Sequence, residues 1–295
     1  MWRRAIIAGL AVTACGLVFA QTAEQGPSYD EKVLAMQVAL DRAAFRPGVI
    51  DGKMGPKTEQ ALRAWQQTHP QAELDSTTPT LTKYSVTADD LDGLAPFPEG
   101  WREKAAMKGL PHATVEERLA ERFHASESLL ERLNPGVNWA RVKAGQVVSV
   151  PNVGVVLDAR AGHVEILLED RLIRVFDPEG NLFAQFPCSI AAKEEKKPVG
   201  KLTVTTIVKD PVFVFNPEVF VEVTDIHEKL IIPPGPNNPV GTRWIGLSRT
   251  GYGIHGTPEP RLVGRTGSHG CFRMSNWDVE TLADLVSVGT EVVVK

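Results

Sequence analysis

The sequence predicts a chain of three units: a small α-helical unit, an α+β module, and a mainly β C-terminal half read as a β-sandwich with one late helix. Three observations carry this. A length of 295 residues exceeds the roughly 100–200 of a typical single domain. Helical periodicity dominates the first half, and from Val153 onward short alternating apolar runs recur between turn signals, with one helical pattern near the end. The composition is ordinary globular material, 43% hydrophobic and 23% charged, which excludes a fibrous or wholly disordered chain. With 32 basic against 36 acidic residues and a net charge of -4, no basic footprint exists, and nucleic acid is not an expected partner.

The elements follow in order. Met1-Trp2-Arg3-Arg4 is a positive leader, and Ala5 to Ala20 carries no charge, so residues 1–20 read as an export signal. The apolar run falls short of the roughly 20 residues that span a bilayer. Val18-Phe19-Ala20 suits cleavage after Ala20; alternatively, Val12-Thr13-Ala14-Cys15 resembles a lipobox, with lipidation at Cys15 the one route to a membrane. Leu34, Val38 and Phe45 share a helical face ending at Arg46-Pro47-Gly48, and a second helix follows Pro56 with Leu62 and Trp65 as anchors. Residues 28–70 thus form a helical hairpin of marginal core size. Residues 71–83 read as a linker. Residues 84–152 give a strand at Tyr84–Thr87, a Pro/Gly-broken insert to Leu110, a helix with Val115, Leu119 and Phe123, a helix N-capped by Ser126, and a strand Val147–Val150.

In the β half (153–295), strands are expected at Val155–Leu157, Val164–Leu167, Leu172–Phe176, Leu182–Phe186, Leu202–Thr205 and Glu291–Val294. One helix is expected over Trp277–Val286, with Ser275 and Asp278 placed like a capping box.

Reactive side chains concentrate in Gly253-Ile254-His255-Gly256-Thr257 and Ser268-His269-Gly270-Cys271-Phe272-Arg273-Met274-Ser275-Asn276. If the second segment is extended, His269, Cys271 and Arg273 share one face, and Phe272 and Met274 the other. Gly270 leaves room for a substrate to approach the backbone, and N–H groups around Gly270 and Cys271 could bind an oxyanion. A thiol needs a base or cation to become a thiolate near neutral pH. Either His255 or His269 could serve, although side chains two apart on a strand run parallel, which favours His255 arriving from elsewhere. Acyl transfer through a Cys271 thioester is the chemistry this pattern supports. The alternatives are a buried structural cysteine, a zinc site from His255, His269 and Cys271 lacking a familiar fourth ligand, and a disulfide to Cys188, which reads more simply as core.

Residues 28–70, through Met36-Gln37, Ile50-Asp51-Gly52, Gly55, Thr58, Ala61-Leu62 and Trp65-Gln66, resemble the type 1 peptidoglycan-binding domain. Residues 84–152, with Leu133-Asn134-Pro135 ending a helix and Gly145-Gln146 before the last strand, resemble a LysM module, although the insert before the first helix departs from that module's compact form. From Val153 on, Ile232-Pro233-Pro234-Gly235, Trp244-Ile245-Gly246-Leu247, Tyr252 to Thr257 and Ser268-His269-Gly270-Cys271 resemble the YkuD-type L,D-transpeptidase catalytic domain. Phe272 stands where that family usually has Ile or Val.

This resemblance implies Cys271 as nucleophile and His255 as proton carrier, its ring held by a carbonyl near Gly256. His269 and Gly270 would shape the oxyanion hole, Ser268 would orient the loop, and Arg273 would hold a substrate carboxylate, with Gly256, Thr257 and Asn276 also at the substrate site. It implies no metal or organic cofactor, and acylation by carbapenems. The expected partner is peptidoglycan in the bacterial periplasm or envelope. The acyl acceptor is left open between a stem amine, giving a 3-3 cross-link, a wall-anchored protein's lysine, and water; a non-catalytic wall-binding adaptor is the alternative outside enzymes.

Overall fold

The structure is a computed structural model that describes residues 29–154, 157–220, 223–268 and 270–295. The expected export signal with Cys15, part of the Val155–Leu157 run, and His269 lie outside the described residues.

The N-terminal hairpin consists of α1 (Glu31–Arg42) and α2 (Pro56–Thr68). Asp30 caps α1 by accepting from Lys32 N at 2.8 Å and Val33 N at 3.2 Å, and Pro56 opens α2. The buried Gln37 amide holds the loop between them. Its Oε1 accepts from Gly52 N at 2.8 Å, and its Nε2 donates to Asp51 Oδ1 at 3.1 Å. The expected helix overruns its true end, because the chain leaves α1 at Arg42 and turns through Ala44 at φ +62°. Phe45 is therefore buried outside the helix, with Leu40, Ala61, Ala64 and Trp65, while Leu34, Val38 and Ile50 join the core of the next module. So small a hairpin gains much of its burial from its neighbour.

That neighbour pairs β1 (Leu81–Ser85) with β2 (Val147–Pro151) antiparallel around α3 (Ala88–Leu91), α4 (Trp101–Ala106), α5 (Val115–Arg122) and α6 (Glu127–Leu133). β1 starts inside the expected linker. Ser126 caps α6 through Leu129 N at 3.2 Å. Asn134 then ties the end of α6 to β2, accepting from Ser149 N at 2.7 Å and donating to Leu130 O at 2.9 Å.

The C-terminal half is mainly β with one late helix. Its strands are β3 (His163–Leu167), β4 (Leu172–Phe176), β5 (Leu182–Pro187), β6 (Gly200–Lys209), β7 (Phe213–Phe215), β8 (Leu230–Ile232), β9 (Arg243–Leu247), β10 (Gly253–His255), β11 (Phe272–Arg273) and β12 (Glu291–Val294), with α7 (Asn276–Leu285) before the last. The two layers of the expected sandwich are one eight-stranded sheet, in the order β11-β10-β9-β6-β12-β3-β4-β5, curled on itself, while β7 and β8 form a separate ribbon. The curl brings the sheet's two ends together: Ser189, just past β5, bonds to Arg273 of β11 in both directions, at 2.8 and 3.0 Å. Inside lie Ile166, Ile173, Phe186, Ile245, Ile254, Phe272 and Met274, closed by Val279 and Leu282 of α7. Each such side chain contributes about 1.5–3 kcal/mol on burial. Cys188 is fully buried in this core, its thiol pushed by burial up to about 12. Both Cys188 and Cys271 are free, which excludes a disulfide between them in this structure.

Ser275 caps α7 through Asp278 N at 3.3 Å, but the reciprocal half of the expected capping box is absent. Asp278 faces Arg46 Nε at 3.5 Å instead. Arg46 also pairs with Asp41, and His124 Nδ1 lies 3.0 Å from Asp41 Oδ2. This buried cluster joins all three units.

Candidate active site

β10 and β11 pair in parallel, with Ile254 opposite Phe272 and His255 opposite Arg273. Ile254 and Phe272 turn into the core at 1% and 0% exposure. Pleating therefore sends His255, Cys271 and Arg273 to the other face, where all three line one cavity of about 720 Å³. The expected split of the Ser268–Asn276 segment holds for its described residues, since Met274 is buried beside Phe272.

His255 is fixed on two sides. Its ring stacks on Trp244 at 5.8 Å and 14°, and Nδ1 donates to the Gly256 carbonyl at 2.7 Å. A carbonyl only accepts, so Nδ1 carries the proton and Nε2 of the neutral ring is left as the basic nitrogen. Burial lowers the His255 pKa to about 4, opposed by the Gly256 carbonyl and assisted by the Arg273 guanidinium. Burial also raises the Cys271 thiol above its ordinary value, with the Gly253 backbone acting against it. At neutral pH the resting pair is thus an uncharged thiol and an uncharged imidazole.

Ser268 organises the turn that presents the thiol. Its Oγ donates to the Cys271 carbonyl at 2.5 Å and accepts from Gly270 N at 3.3 Å. The Gly270 N–H is therefore occupied, which leaves the Cys271 N–H as the candidate oxyanion donor of that expected pair. The half-buried Arg273 donates through Nη2 to Thr266 Oγ1, while its Nε is buried with no partner among the described residues. Burial lowers its pKa, with Glu259 acting in the opposite direction. An unpaired buried guanidinium nitrogen is a costly donor that a carboxylate would satisfy.

Gly256, Thr257 and Asn276 do not line the cavity; they brace it from behind. Asn276 is 1% exposed. Its Oδ1 accepts from Thr257 N at 3.1 Å and Thr242 N at 3.3 Å, and its Nδ2 donates to Glu121 Oε2 at 2.8 Å and Pro236 O at 3.0 Å. A Cβ on Gly256 would lie 2.2 Å from Asn276 Oδ1, so the His-Gly-Thr loop needs glycine for this close approach. Asn276 thereby fixes that loop to α5 of the preceding module.

Sequence reasoning gave no role to two groups of cavity residues. Val212, Phe213, Val214, Val219 and Phe220 come from the β7–β8 ribbon, and Trp101 comes from the insert of the preceding module. The usable signal was the insert itself, too long and aromatic for a compact strand-helix-helix-strand unit.

A thiol, a tautomer-fixed imidazole and a guanidinium in one cavity of a curled β-sheet are the groups that acyl transfer through a thioester would need. Residues 161–294 match the family described as the L,D-transpeptidase catalytic domain, YkuD, and residues 29–70 match a peptidoglycan-binding domain family. A Bacillus licheniformis relative named as L,D-transpeptidase YkuD is 28% identical over 176 residues, 60% of this chain and 90% of that protein. Escherichia coli ErfK/SrfK, also named as an L,D-transpeptidase, is 31% identical over 182 residues, and the match spans 57% of its length. The solved L,D-transpeptidase from Mycobacterium smegmatis is similar at 22% identity over 51% of this chain and 63% of that one, with a TM-score of 0.36. The C-terminal half of the chain belongs to the YkuD family of L,D-transpeptidase catalytic domains, and the N-terminal hairpin is a peptidoglycan-binding domain.

Proposed function

We propose that the protein is an exported cysteine L,D-transpeptidase that acts on peptidoglycan stem tetrapeptides in the bacterial cell envelope. His255 Nε2 takes the Cys271 proton as the sulfur attacks the carbonyl carbon of the donor's third residue. The Cys271 N–H receives the developing oxyanion, with His269 adjacent in sequence. The imidazolium returns its proton to the departing amine of the terminal residue, and a thioester remains. An acceptor amine then attacks the thioester, His255 Nε2 takes the amine's proton, and the thiol is regenerated when that proton returns to sulfur. A stem amine as acceptor gives a 3-3 cross-link, and a lysine of a wall-anchored protein attaches that protein to the wall. Arg273 holds a substrate carboxylate through its unpaired Nε.

The single observation that carries this reading is the Nδ1 bond from His255 to the Gly256 carbonyl, which leaves Nε2 free on the face shared with Cys271. The helical hairpin, with the LysM-like module as a second contact, would hold the enzyme on glycan strands, and residues 1–20 would direct export, with lipidation at Cys15 as the alternative. Mass spectrometry of products from purified tetrapeptide muropeptides tests the proposal. Dimers joined through third residues support it. Tripeptide alone would assign water as acceptor, and unchanged substrate would overturn it.

A further inference from the structure

The cavity has two unlike walls. Its floor is the polar face of β10 and β11. Its roof is apolar, formed by the β7–β8 ribbon and Trp101. Val212, Val214 and Val219 on this roof are 54%, 50% and 47% exposed, an apolar surface continuous with the thiol and uncovered among the described residues.

Trp101 reaches the roof because the insert is strapped to the ribbon. Its ring packs on Phe215 at 4.7 Å, Phe220 at 5.7 Å and Phe213 at 5.8 Å. Leu110 N donates to Pro234 O at 2.8 Å, and Asn237 N donates to Leu110 O at 3.0 Å. Gly235 makes that approach possible at φ +143°, where a Cβ would lie 2.2 Å from Leu110 O. Arg102 pairs with Glu228 at 3.1 Å outside. Leu110, Phe215 and Ile232 are buried together beneath. Such a strap costs a loop of chain that a module serving only as a wall anchor does not require.

We propose that the insert of the second module is a specificity element of the catalytic cavity, with Trp101 forming the aromatic surface against which the aliphatic side chain of the acyl donor's third residue packs. Lys104 Nζ already lies 5.0 Å from the Trp101 ring centroid, and backbone amides laid on the valines of this roof would lose water without gaining a partner. Methylenes would gain contact with an aromatic face. A donor with a carboxylate for Arg273 and a methylene chain for the roof matches both walls at once. This assignment rests on reading Cys271 as the residue that attacks the donor.

Calorimetry on the full chain carrying Cys271→Ala tests it, using two tetrapeptides: one whose third residue has a methylene side chain ending in an amine, the other with alanine there. The long-chain peptide is expected to bind about three- to tenfold more tightly, the range an aromatic contact supplies. Adding Trp101→Ala is expected to abolish most of that preference, and Trp101→Phe to keep most of it. Val219→Ser, at an exposed roof position whose replacement spares the core, should also weaken the preference. A preference that survives both Trp101→Ala and Val219→Ser, or its absence from the starting chain, would overturn the inference. Turnover is read separately on the wild-type chain. If stem peptide is left unchanged while the binding preference is present, the proposed function fails and only the peptide-binding subsite at Trp101 stands.

Discussion

Two histidines in this chain are built alike and differ in one partner. His255 stacks on Trp244 at 5.8 Å and 14°, and His124 stacks on Trp277 at 5.2 Å and 12°. Nδ1 of His255 meets a neutral carbonyl at 2.7 Å, whereas Nδ1 of His124 meets the Asp41 carboxylate at 3.0 Å. His124 sits in a closed set of opposite charges with Asp41, Arg46 and Asp278 that holds three units together. His255 faces a cavity that it shares with the Cys271 thiol and the Arg273 guanidinium, and among the described residues no carboxylate is bonded to its ring. Burial alone therefore does not mark a candidate catalytic histidine; a ring nitrogen left over on a cavity shared with a thiol is the better sign.

Replacing each histidine by alanine separates the two roles. His255→Ala should lower the acylation rate by about 10²–10⁴-fold with little change in the urea midpoint. His124→Ala should do the reverse, keeping the rate near that of wild type and lowering the midpoint. A rate loss shared equally by both would remove the distinction.

The charge cluster holds a second contrast. Arg46 and His124 hold Asp41 down to about 2 although burial pushes the other way, whereas burial drives Asp278 up to about 6. Asp41→Asn should cost about 3–5 kcal/mol in denaturant unfolding at pH 7, because the buried Arg46 loses its closest partner. Asp41's contribution is present above its unfolded value of 3.8 and is lost as pH falls towards 2. Asp278 has the opposite sign. Its folded pKa lies above the unfolded 3.8, so ionising it opposes folding, a cost absent below pH 4 and complete above about 6. Asp278→Asn should flatten the stability profile across that window and leave stability at pH 7 equal or higher.

A smaller effect sharpens the catalytic half. With His255 lowered to about 4, its neutral base form persists well below the ordinary histidine range, and the acid limb of the acylation rate should fall near pH 4. A limb near 6.5 would mean an imidazole that is solvated or charge-paired. Smallest of all, Ser275→Ala should cost about 1 kcal/mol through the lost cap on α7, read by thermal unfolding, with Cys271 chemistry retained.

Much of this was legible in the sequence wherever the cause is local. Alternation located β3, β4, β5 and β12, and cap residues located α6 and α7 within a residue or so. The opposed faces of Cys271 and Phe272 also follow from pleating alone. What was illegible depends on distant partners. Phe45 reads as helical until Ala44 turns the chain, and Asn276 reads as a substrate contact until Glu121, 155 residues away, takes its amide. Asp278 reads as a capping residue until Arg46 arrives from another unit. Trp101 belongs to the catalytic cavity through an insert whose partner ribbon begins more than a hundred residues later, a pairing that no local pattern encodes.

In the proposed reaction Cys271 is the acylated residue and His255 its base. Intact-mass measurement of the folded full chain after incubation with a carbapenem tests it most directly. A single covalent adduct is expected on wild type, slower adduct formation with His255→Ala, and none with Cys271→Ala. An adduct that persists in Cys271→Ala, or a folded wild-type chain that forms none, would contradict it.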